Sequence, residues 1–185
     1  MVQNEATRGG GGGALRDEYM AENAIWLLDQ AGPQGKIVLW AHNAHVQNLS
    51  PWMGAHLRSR YGAEYVILGF SFYQGGFNAI EQNAAGQFLR LTALAAPPAL
   101  DGSIEHHFQR LDRPRVLLDL RPLRANRSAS AAWLRGPLPL RNIGAVYRPS
   151  SPAAYFAPTR VPEQYDVMIH FENTTPSVLL PFRYE

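Results

Sequence analysis

The sequence of 185 residues contains no cysteine. Disulfides, thiolate-bound metals and a cysteine nucleophile are therefore excluded, although this absence does not identify the compartment. There is also no apolar run of about 18 residues, so we expect no membrane partner. Because the first residues lack the charged start and apolar core of a secretory signal, we expect a cytoplasmic location.

Lysine is nearly absent, since Lys36 is the only lysine among 17 basic residues. The pI of about 9.1 accompanies a net charge of only +2. The arginines are scattered singly among acidic and apolar residues, without the basic stripe that follows a nucleic-acid groove. We therefore expect no nucleic-acid partner.

The sequence does contain enough apolar material for a folded core. It is 46% hydrophobic and only 17% charged, which excludes disorder as the main state. Its length fits one domain of roughly 100–200 residues. Residues 1–14 include five consecutive glycines, Gly9–Gly13, and are predicted to be a flexible lead-in. Residues 15–185 are predicted to form the folded part.

The first half predicts a helix followed by a strand–helix–strand unit. Apolar residues at helical spacing predict a helix from about Leu15 to Ala31. The continuous apolar run 36–41 predicts a strand covered on both faces. Residues 50–62 predict a helix with a serine–proline start and a glycine end, with Met53 and Leu57 facing inward and Arg58 facing solvent. Residues 65–70 predict the next strand. This order is a βαβ unit.

The second half predicts shorter elements. A helix is expected over residues 101–111, with Ile104, Phe108 and Leu111 on its apolar face. Strands are expected over 115–120 and 165–171, and closely spaced prolines between them indicate loops. The predicted fold class is α/β, with a partly parallel sheet and flanking helices.

His42, Asn43 and His45 follow the first predicted strand. Ligands of open α/β sheets bind at the carboxyl ends of strands, so these polar side chains are candidates for a site. A histidine there can accept a proton from water or stabilise developing negative charge. Two other interpretations stay open: a hydrogen-bonded strand end, or a metal site whose third ligand comes from elsewhere.

Arg16 and Asn23 are seven residues apart and project from the same side of the first predicted helix, along its inward stripe. A guanidinium and an amide in that position need polar partners. Either Arg16 forms a structural ion pair with a buried acid, or it contacts a substrate or an oxyanion.

Residues 70–78 follow the second predicted strand, and aromatic Tyr73 and Phe77 are candidates for the wall of an apolar ligand site. Ser71 lacks the Gly-x-Ser-x-Gly elbow, so a nucleophilic serine is not expected. His107 and His170 lie among apolar residues and are predicted to be core histidines.

The block 40–46, Trp-Ala-His-Asn-Ala-His-Val, is the most specific of several segments that together resemble the erythromycin esterase family. The resemblance extends from about residue 16 to residue 176. The other segments are Arg16-Asp17, Met20-Ala21, Asn23, Trp26, residues 36–39, Met53-Gly54, Gly69-Phe70, Tyr73, residues 76–79, residues 143–147 and residues 174–176.

The resemblance implies an α/β hydrolase of carboxylic esters. Such an enzyme would use no serine nucleophile, no metal and no other cofactor. A histidine supported by glutamates would activate water against an ester such as a macrolide lactone, although some relatives are called succinoglycan biosynthesis proteins. His42 and His45 match the family's active-site block, and Arg16 matches the arginine that opens its motif. Asn43, Asn23, Tyr73 and Phe77 are the expected substrate contacts.

Family enzymes are about twice as long, and their general-base histidine lies in an N-terminal half that opens with a Gly-Glu-x-x-His-Gly segment. This sequence contains no such segment. We therefore expect an incomplete portion of a larger domain, inactive alone, with exposed strand edges and poor solubility. The alternatives are a remnant that binds a small molecule or glycan without turnover, and a metal-dependent hydrolase.

Overall fold

The structure, a computed structural model, describes residues 12–126 and 128–180, which divide into two units. The first unit takes in the described residues of Met1–Gly69, Leu118–Arg135 and Arg160–Met168. The second takes in those of Phe70–Leu117, Gly136–Thr159 and Ile169–Glu185. Most of the lead-in predicted over 1–14 lies outside the described residues, and Gly12 to Ala14 form the start of the first helix.

The first unit is mainly helical. Its longer helices are α1 (Gly12–Gln30) and α3 (Met53–Tyr61), which pack against each other, with the single turn α2 (Asn43–Val46) before α3. A short 3-10 turn (Gly62–Glu64) follows α3. The other helices of this unit are α5 (Arg121–Ala125), α6 (Ala129–Arg135) and α7 (Val161–Gln164).

Helix α1 confirms the predicted helix but not its predicted inward face. The buried residues are Asp17, Ala21 and Ala24, whereas Leu27 is 52% exposed. Arg16 and Asn23, expected on the inward stripe, are exposed. The small alanines allow α3 to approach closely, so the buried stripe is chosen by packing rather than by the largest apolar side chains.

The strand predicted over residues 36–41 is absent, and with it the predicted βαβ unit. These residues have no regular secondary structure. They still alternate in burial, since Val38 is 92% and Trp40 87% exposed while Leu39 and Ala41 are half-buried. A strand exists only when a neighbouring strand satisfies its backbone groups, and among the described residues none pairs with this segment.

Helix α3 begins two residues later than the Ser50-Pro51 signal predicted, and that peptide bond is cis. Met53 and Leu57 are buried as expected, and Gly62 ends the helix with a φ of 54°. Arg58 was expected to face solvent, but its side chain is only 18% exposed because it pairs with Asp166.

The second unit holds most of the β-structure. Among the described residues, one sheet has the strand order β2-β1-β7-β3, with β5 beside β1. Its strands are β1 (Leu68–Gln82), β2 (Phe88–Ala96), β3 (Arg115–Asp119), β5 (Val146–Tyr147) and β7 (Val167–Thr174). β2 is antiparallel to β1 and β5 is parallel to it. The mixed α/β class with a partly parallel sheet is thus confirmed.

Strand β1 corrects the expectation for residues 70–78. They were expected to follow a strand, but β1 continues through them and forms a hairpin with β2, pairing Gly76 with Ala95 and Ile80 with Leu91. Gly75 has a φ of 122°, and a Cβ there would lie 2.3 Å from the Thr174 carbonyl oxygen. A side chain would not fit at this position, so the glycine allows β1 to run close to the backbone of Thr174.

Other elements of the second unit agree more closely with the sequence. Helix α4 (Ile104–Gln109) has Ser103 as its N-cap, which accepts from His106 N. Ile104 and Phe108 are buried as predicted, whereas Leu111 lies beyond the helix and is 55% exposed. A smaller sheet pairs β4 (Leu138–Arg141) antiparallel with β6 (Phe156–Thr159), after the 3-10 turn Pro152–Tyr155.

The core of the second unit contains a buried histidine, as predicted for His170. Its Nδ1 and the Ser71 Oγ are 2.9 Å apart, and its ring stacks on Phe108 at 4.8 Å between centroids. His107, the other histidine predicted to be in the core, is half-buried instead. Burial lowers the pKa of His170 to about 4, so the ring is neutral near pH 7.

Acid should destabilise the protein through His170. Its folded pKa lies below the unfolded value of 6.5, so the unfolded state binds more protons between pH 6.5 and 4. The contribution of His170 to the free energy of unfolding is complete above pH 6.5. As the pH falls towards 4, the free energy of unfolding should decrease by roughly 3 kcal/mol. Denaturant unfolding of the wild type and of His170→Gln at pH 7 and pH 4.5 measures this.

The variant should lose much of the wild type's pH dependence in this window. Comparison with the variant is needed because burial raises the pKa of Glu105, which lies on the same helix as Phe108. A carboxyl with a raised pKa contributes stability at low pH that is lost as pH rises, the opposite trend. Equal pH dependence in both proteins would show that His170 does not cause it.

Candidate functional site

The predicted histidine block lies in the first unit, where it leaves the irregular segment and enters α2. His42 is the N-cap of α2, and its Nδ1 accepts from Ala44 N at 3.2 Å. Of the interpretations left open for this block, a hydrogen-bonded chain terminus fits the Nδ1 atom of His42. Asn43 begins α2 and is half-buried.

His45 is held by a buried carboxylate. Its Nδ1 is 2.7 Å from Asp17 Oδ1, and Asp17 is completely buried on α1. The same Oδ1 accepts from Met53 N at 3.0 Å, at the start of α3. One carboxylate thus joins α1, α2 and α3. Charge-assisted hydrogen bonds of this kind are stronger than neutral ones, so the ring orientation of His45 is well defined.

Arg16 completes the cluster and determines the tautomer of His45. Its Nη2 lies 3.0 Å from His45 Nε2. A guanidinium can only donate, so Nε2 must be the acceptor and Nδ1 must carry the hydrogen that is donated to Asp17. Arg16 Nη2 is also 4.0 Å from Asp17 Oδ2. Arg16 thus both contacts a buried acid and remains 47% exposed, which combines the two interpretations left open by the sequence.

Close packing fixes these three residues. A Cβ on Gly54 would lie 1.9 Å from the Val46 carbonyl oxygen, so α3 approaches the end of α2 more closely than any other residue would allow. The Tyr65 hydroxyl donates to the same Val46 oxygen at 3.0 Å. Burial raises the pKa of Tyr65 to about 12, which keeps that hydroxyl a donor. The Trp52 ring meets His45 edge-on at 5.8 Å between centroids.

A second buried carboxylate also joins elements of the first unit. Asp166 accepts from Ile67 N at 2.7 Å and pairs with both Arg58 and Arg124. Burial alone would raise the pKa of Asp166, but the Ile67 amide and the two guanidinium groups hold it below its usual value. Asp166 therefore stays ionised and ties α3 and α5 to the segment before β7.

The other expected substrate contacts are not part of this cluster. Asn23 is exposed on α1 and takes no part in the contacts of Asp17, His45 and Arg16. Tyr73 and Phe77 lie on β1 in the second unit. Phe77 packs edge-on against the buried Tyr147 at 5.0 Å between centroids, and the Tyr73 carbonyl accepts from Arg141. Their roles in binding stay predictions.

Asp17 is the site residue that the sequence reasoning did not assign. A signal for it exists, since Asp17, Ala21 and Ala24 follow the i, i+4, i+7 spacing of one helix face. An acid on a stripe of small residues predicts a buried carboxylate that needs a partner. Leu27 is more hydrophobic than these alanines although it is 52% exposed, so hydrophobicity alone does not reveal the buried stripe.

Within residues 12–126 and 128–180, no group of three or more His, Asp or Glu side chains could hold a metal ion. In the same part of the chain, no helix is both long and apolar enough to span a membrane. The cluster of Asp17, His45 and Arg16 offers one acid, one imidazole and one guanidinium, a combination suited to binding and polarising an oxygen substituent.

The fold is that of an α/β protein of the erythromycin esterase family. The chain matches that family over residues 3–174 and belongs to it. YbfO of Bacillus subtilis, named as a hydrolase, is 28% identical over 178 residues. That match covers 90% of this chain and 36% of YbfO. Erythromycin esterase type II of Escherichia coli is 32% identical over 69 residues, covering 32% of this chain and 16% of the esterase.

Solved structures agree on the fold. The crystal structure of a succinoglycan biosynthesis protein superposes with a TM-score of 0.72 at 24% identity, and the match covers 89% of this chain and 39% of that one. A mutant of the erythromycin esterase EreC in its open conformation gives 0.55 at 18% identity, covering 86% and 37%. The chain thus spans little more than a third of the length of these relatives.

Proposed function

We propose that this chain contributes part of an active site that hydrolyses a carboxylic ester, such as a macrolide lactone. The single observation that carries the proposal is that Asp17 holds one ring nitrogen of His45 while the other ring nitrogen contacts Arg16. Family membership and the names of the relatives support a hydrolase. The comparisons leave the substrate open, so the ester class follows from the resemblance and from the chemistry of the cluster.

In this proposal Arg16 binds the carbonyl oxygen of the ester. Its guanidinium has five N–H donors, and the contact with His45 Nε2 uses only one of its nitrogens. His45 and Asp17 act as positioning residues, because they hold that nitrogen without competing for the exposed side of the guanidinium. His42, at the exposed start of α2, is the proposed second contact to the substrate.

The reaction is a balanced addition of water. A water oxygen attacks the carbonyl carbon while its proton passes to a histidine, which the resemblance places in the N-terminal half of family enzymes. The carbonyl oxygen becomes an oxyanion that Arg16 stabilises. When the tetrahedral intermediate collapses, the ester C–O bond breaks and the leaving oxygen takes the proton that the histidine had accepted. The products are an alcohol and a carboxylic acid, which releases its proton to solvent and becomes a carboxylate.

The test uses a chimera in which this chain replaces the matching 36% of YbfO. Mass spectrometry should show one added water on at least one member of an ester panel that includes a 14-membered macrolide. The unmodified chain should show none. Binding of an ester without any product, measured by calorimetry on both proteins, would indicate a binding remnant instead. A panel with neither product nor binding would overturn the proposal.

Arg16→Ala should lower kcat of an active chimera by about 100-fold or more, the typical cost of removing one oxyanion donor. Arg16→Lys should recover only part of the rate, because lysine keeps the charge but loses the fork that meets both His45 and the substrate. Steady-state kinetics on the best ester in the panel measures both effects.

Two further variants separate positioning from general damage. Asp17→Asn should lower kcat with little change in KM, because it replaces the charge-assisted bond to His45 Nδ1–H by a weaker neutral one and so loosens the imidazole that holds Arg16. Glu22→Ala is the matched control, because Glu22 is exposed on the same helix and outside the cluster. Arg16→Ala with unchanged kcat would remove Arg16 from the mechanism.

A further inference from the structure

The turn before α4, in the second unit, contains the only Asp-Gly step of the sequence, Asp101-Gly102. The side chain of Asp101 is fully exposed, and Gly102 has a φ of 76°, in the left-handed region. A Cβ on Gly102 would meet nothing within 4 Å, so the turn is open to water. The proposed ester hydrolysis makes no use of these residues.

An aspartate followed by glycine can react with its own main chain. The backbone nitrogen of Gly102 can attack Cγ of Asp101, because joining these two atoms closes a five-membered succinimide ring. Glycine has no Cβ to obstruct the approach of its nitrogen. The reaction must move one proton, since the amide loses its hydrogen and the carboxyl loses an oxygen as water. A base that contacts both groups would accelerate it.

His106 contacts both groups through one atom. Its Nδ1 accepts from Gly102 N at 2.8 Å and lies 3.8 Å from Asp101 Oδ1. Because the backbone N–H is the donor, Nδ1 carries no hydrogen in this contact and is available as a base. A carbonyl acceptor would only restrain the Gly102 amide, whereas an imidazole nitrogen can also remove its proton.

The start of α4 holds this ring in place. The backbone N–H of His106 donates to Ser103 Oγ at 3.2 Å, and Ser103 is completely buried. Ile104, the first residue of the helix, is also buried. The imidazole therefore projects from a fixed helix turn towards the exposed Asp101-Gly102 step.

We propose that Asp101-Gly102 is a site of self-modification, in which His106 promotes closure of the succinimide. Gly102 N passes its proton to His106 Nδ1 while the N–Cγ bond forms. The carboxyl of Asp101, in its acid form, then loses its hydroxyl oxygen, which takes the proton from Nδ1 and leaves as water. The products are the succinimide and one water, and His106 is regenerated.

Water reopens the ring at either of its two carbonyl groups. One opening restores aspartate, and the other gives isoaspartate, in which the main chain runs through Cβ and is one atom longer. The turn is closed by a hydrogen bond from Ser103 N to the Leu100 carbonyl at 3.0 Å. The additional atom would lie inside this closed turn, so isoaspartate would loosen the start of α4.

The test compares the folded chain with a synthetic peptide of residues 91–110 at the same neutral pH. Mass spectrometry of the matching tryptic peptide detects the succinimide as the loss of one water. A methyltransferase specific for isoaspartyl groups detects the second product. The folded chain should form both at least about tenfold faster than the peptide, a small part of what a well-placed general base contributes. Equal or slower formation in the folded chain would overturn the proposal.

Asp112 is the internal control in the same measurement. It is also exposed and has a positive φ of 51°, but arginine follows it instead of glycine. The proposal therefore expects neither product at Asp112. Modification of Asp112 at the rate of Asp101 would overturn it, because exposure alone would then explain the reaction.

Three variants assign the role of His106. His106→Gln should slow the folded chain to the rate of the peptide, because the glutamine oxygen can accept from Gly102 N but cannot remove its proton. Asp101→Glu should form neither product, since the five-membered ring is lost. Arg110→Gln is the matched control: Arg110 is exposed at the end of α4 and should leave the rate unchanged. An unchanged rate in His106→Gln, or equal slowing by His106→Gln and Arg110→Gln, would overturn the proposal.

Discussion

Gly54→Ala should destabilise the first unit by at least about 3 kcal/mol, at the upper end of what overpacking costs. The added Cβ would lie 1.9 Å from the Val46 carbonyl oxygen and 2.4 Å from that of Gln47. Both obstacles are backbone atoms, so no rotamer change can make room. Separation of α3 from α2 would also disturb the bonds from Asp17 Oδ1 to Met53 N and His45.

Gly13→Ala is the matched control for this prediction. Nothing lies within 4 Å of the position its Cβ would occupy, and Gly13 is in the first turn of α1. Replacing a helical glycine by alanine should leave stability unchanged or raise it by up to about 1 kcal/mol. Denaturant unfolding followed by circular dichroism compares the two variants. Similar midpoints for Gly54→Ala and Gly13→Ala would show that α2 and α3 are not packed as described.

Asp166→Ala should lower the free energy of unfolding by about 3–5 kcal/mol, because it removes one partner from a buried charge cluster and leaves the others. Arg58 and Arg124 would lose their common carboxylate, and Ile67 N its acceptor. The folded pKa of Asp166 is depressed, so its contribution is complete above the unfolded value of 3.8 and is lost as pH falls through the folded value.

Asp119→Ala provides the comparison for Asp166. Asp119 also pairs with an arginine, but both side chains are substantially exposed, at 41% for Asp119 and 53% for Arg121. Exposed pairs contribute little, so we expect almost no change in the unfolding midpoint. If the two alanine variants unfold at the same denaturant concentration, the buried cluster is not the source of stability that its geometry indicates.

The elements that the sequence predicted correctly are those whose signals are local. The helix over residues 15–31 needs only its own periodicity, and the helix ending at Gly62 needs only its glycine terminus. The short helix with Ile104 and Phe108 needs its serine cap and two apolar positions. Each of these signals lies within a few residues of the structure it specifies.

The errors occur where the outcome depends on residues far away in the chain. The run 36–41 has the composition of a buried strand, but no described strand pairs with it. Residues 70–78 have the glycines of a loop, yet pairing with β2 extends them into a strand. Arg58 looked like a surface residue until Asp166, more than 100 positions later, proved to be its partner.

The candidate site shows the same division. The histidine block, Arg16 and the family resemblance are all visible in the sequence, and family membership is confirmed over residues 3–174. The block's spacing could not show that His45 contacts Arg16 through one ring nitrogen and Asp17 through the other. Those contacts join positions 28 and 29 residues apart, across two helices.

The sequence by itself thus determined the absence of cysteine chemistry, the helical segments, the α/β class and the family. Only the tertiary structure decided which face of α1 is buried, which acid holds His45, and where 36–41 and Arg58 lie. The physical reason is that periodicity and capping act over a few residues, whereas burial and ion pairing depend on which distant atoms meet. A short apolar run shows that a segment favours burial, but the residues that contact the segment decide whether it forms a strand.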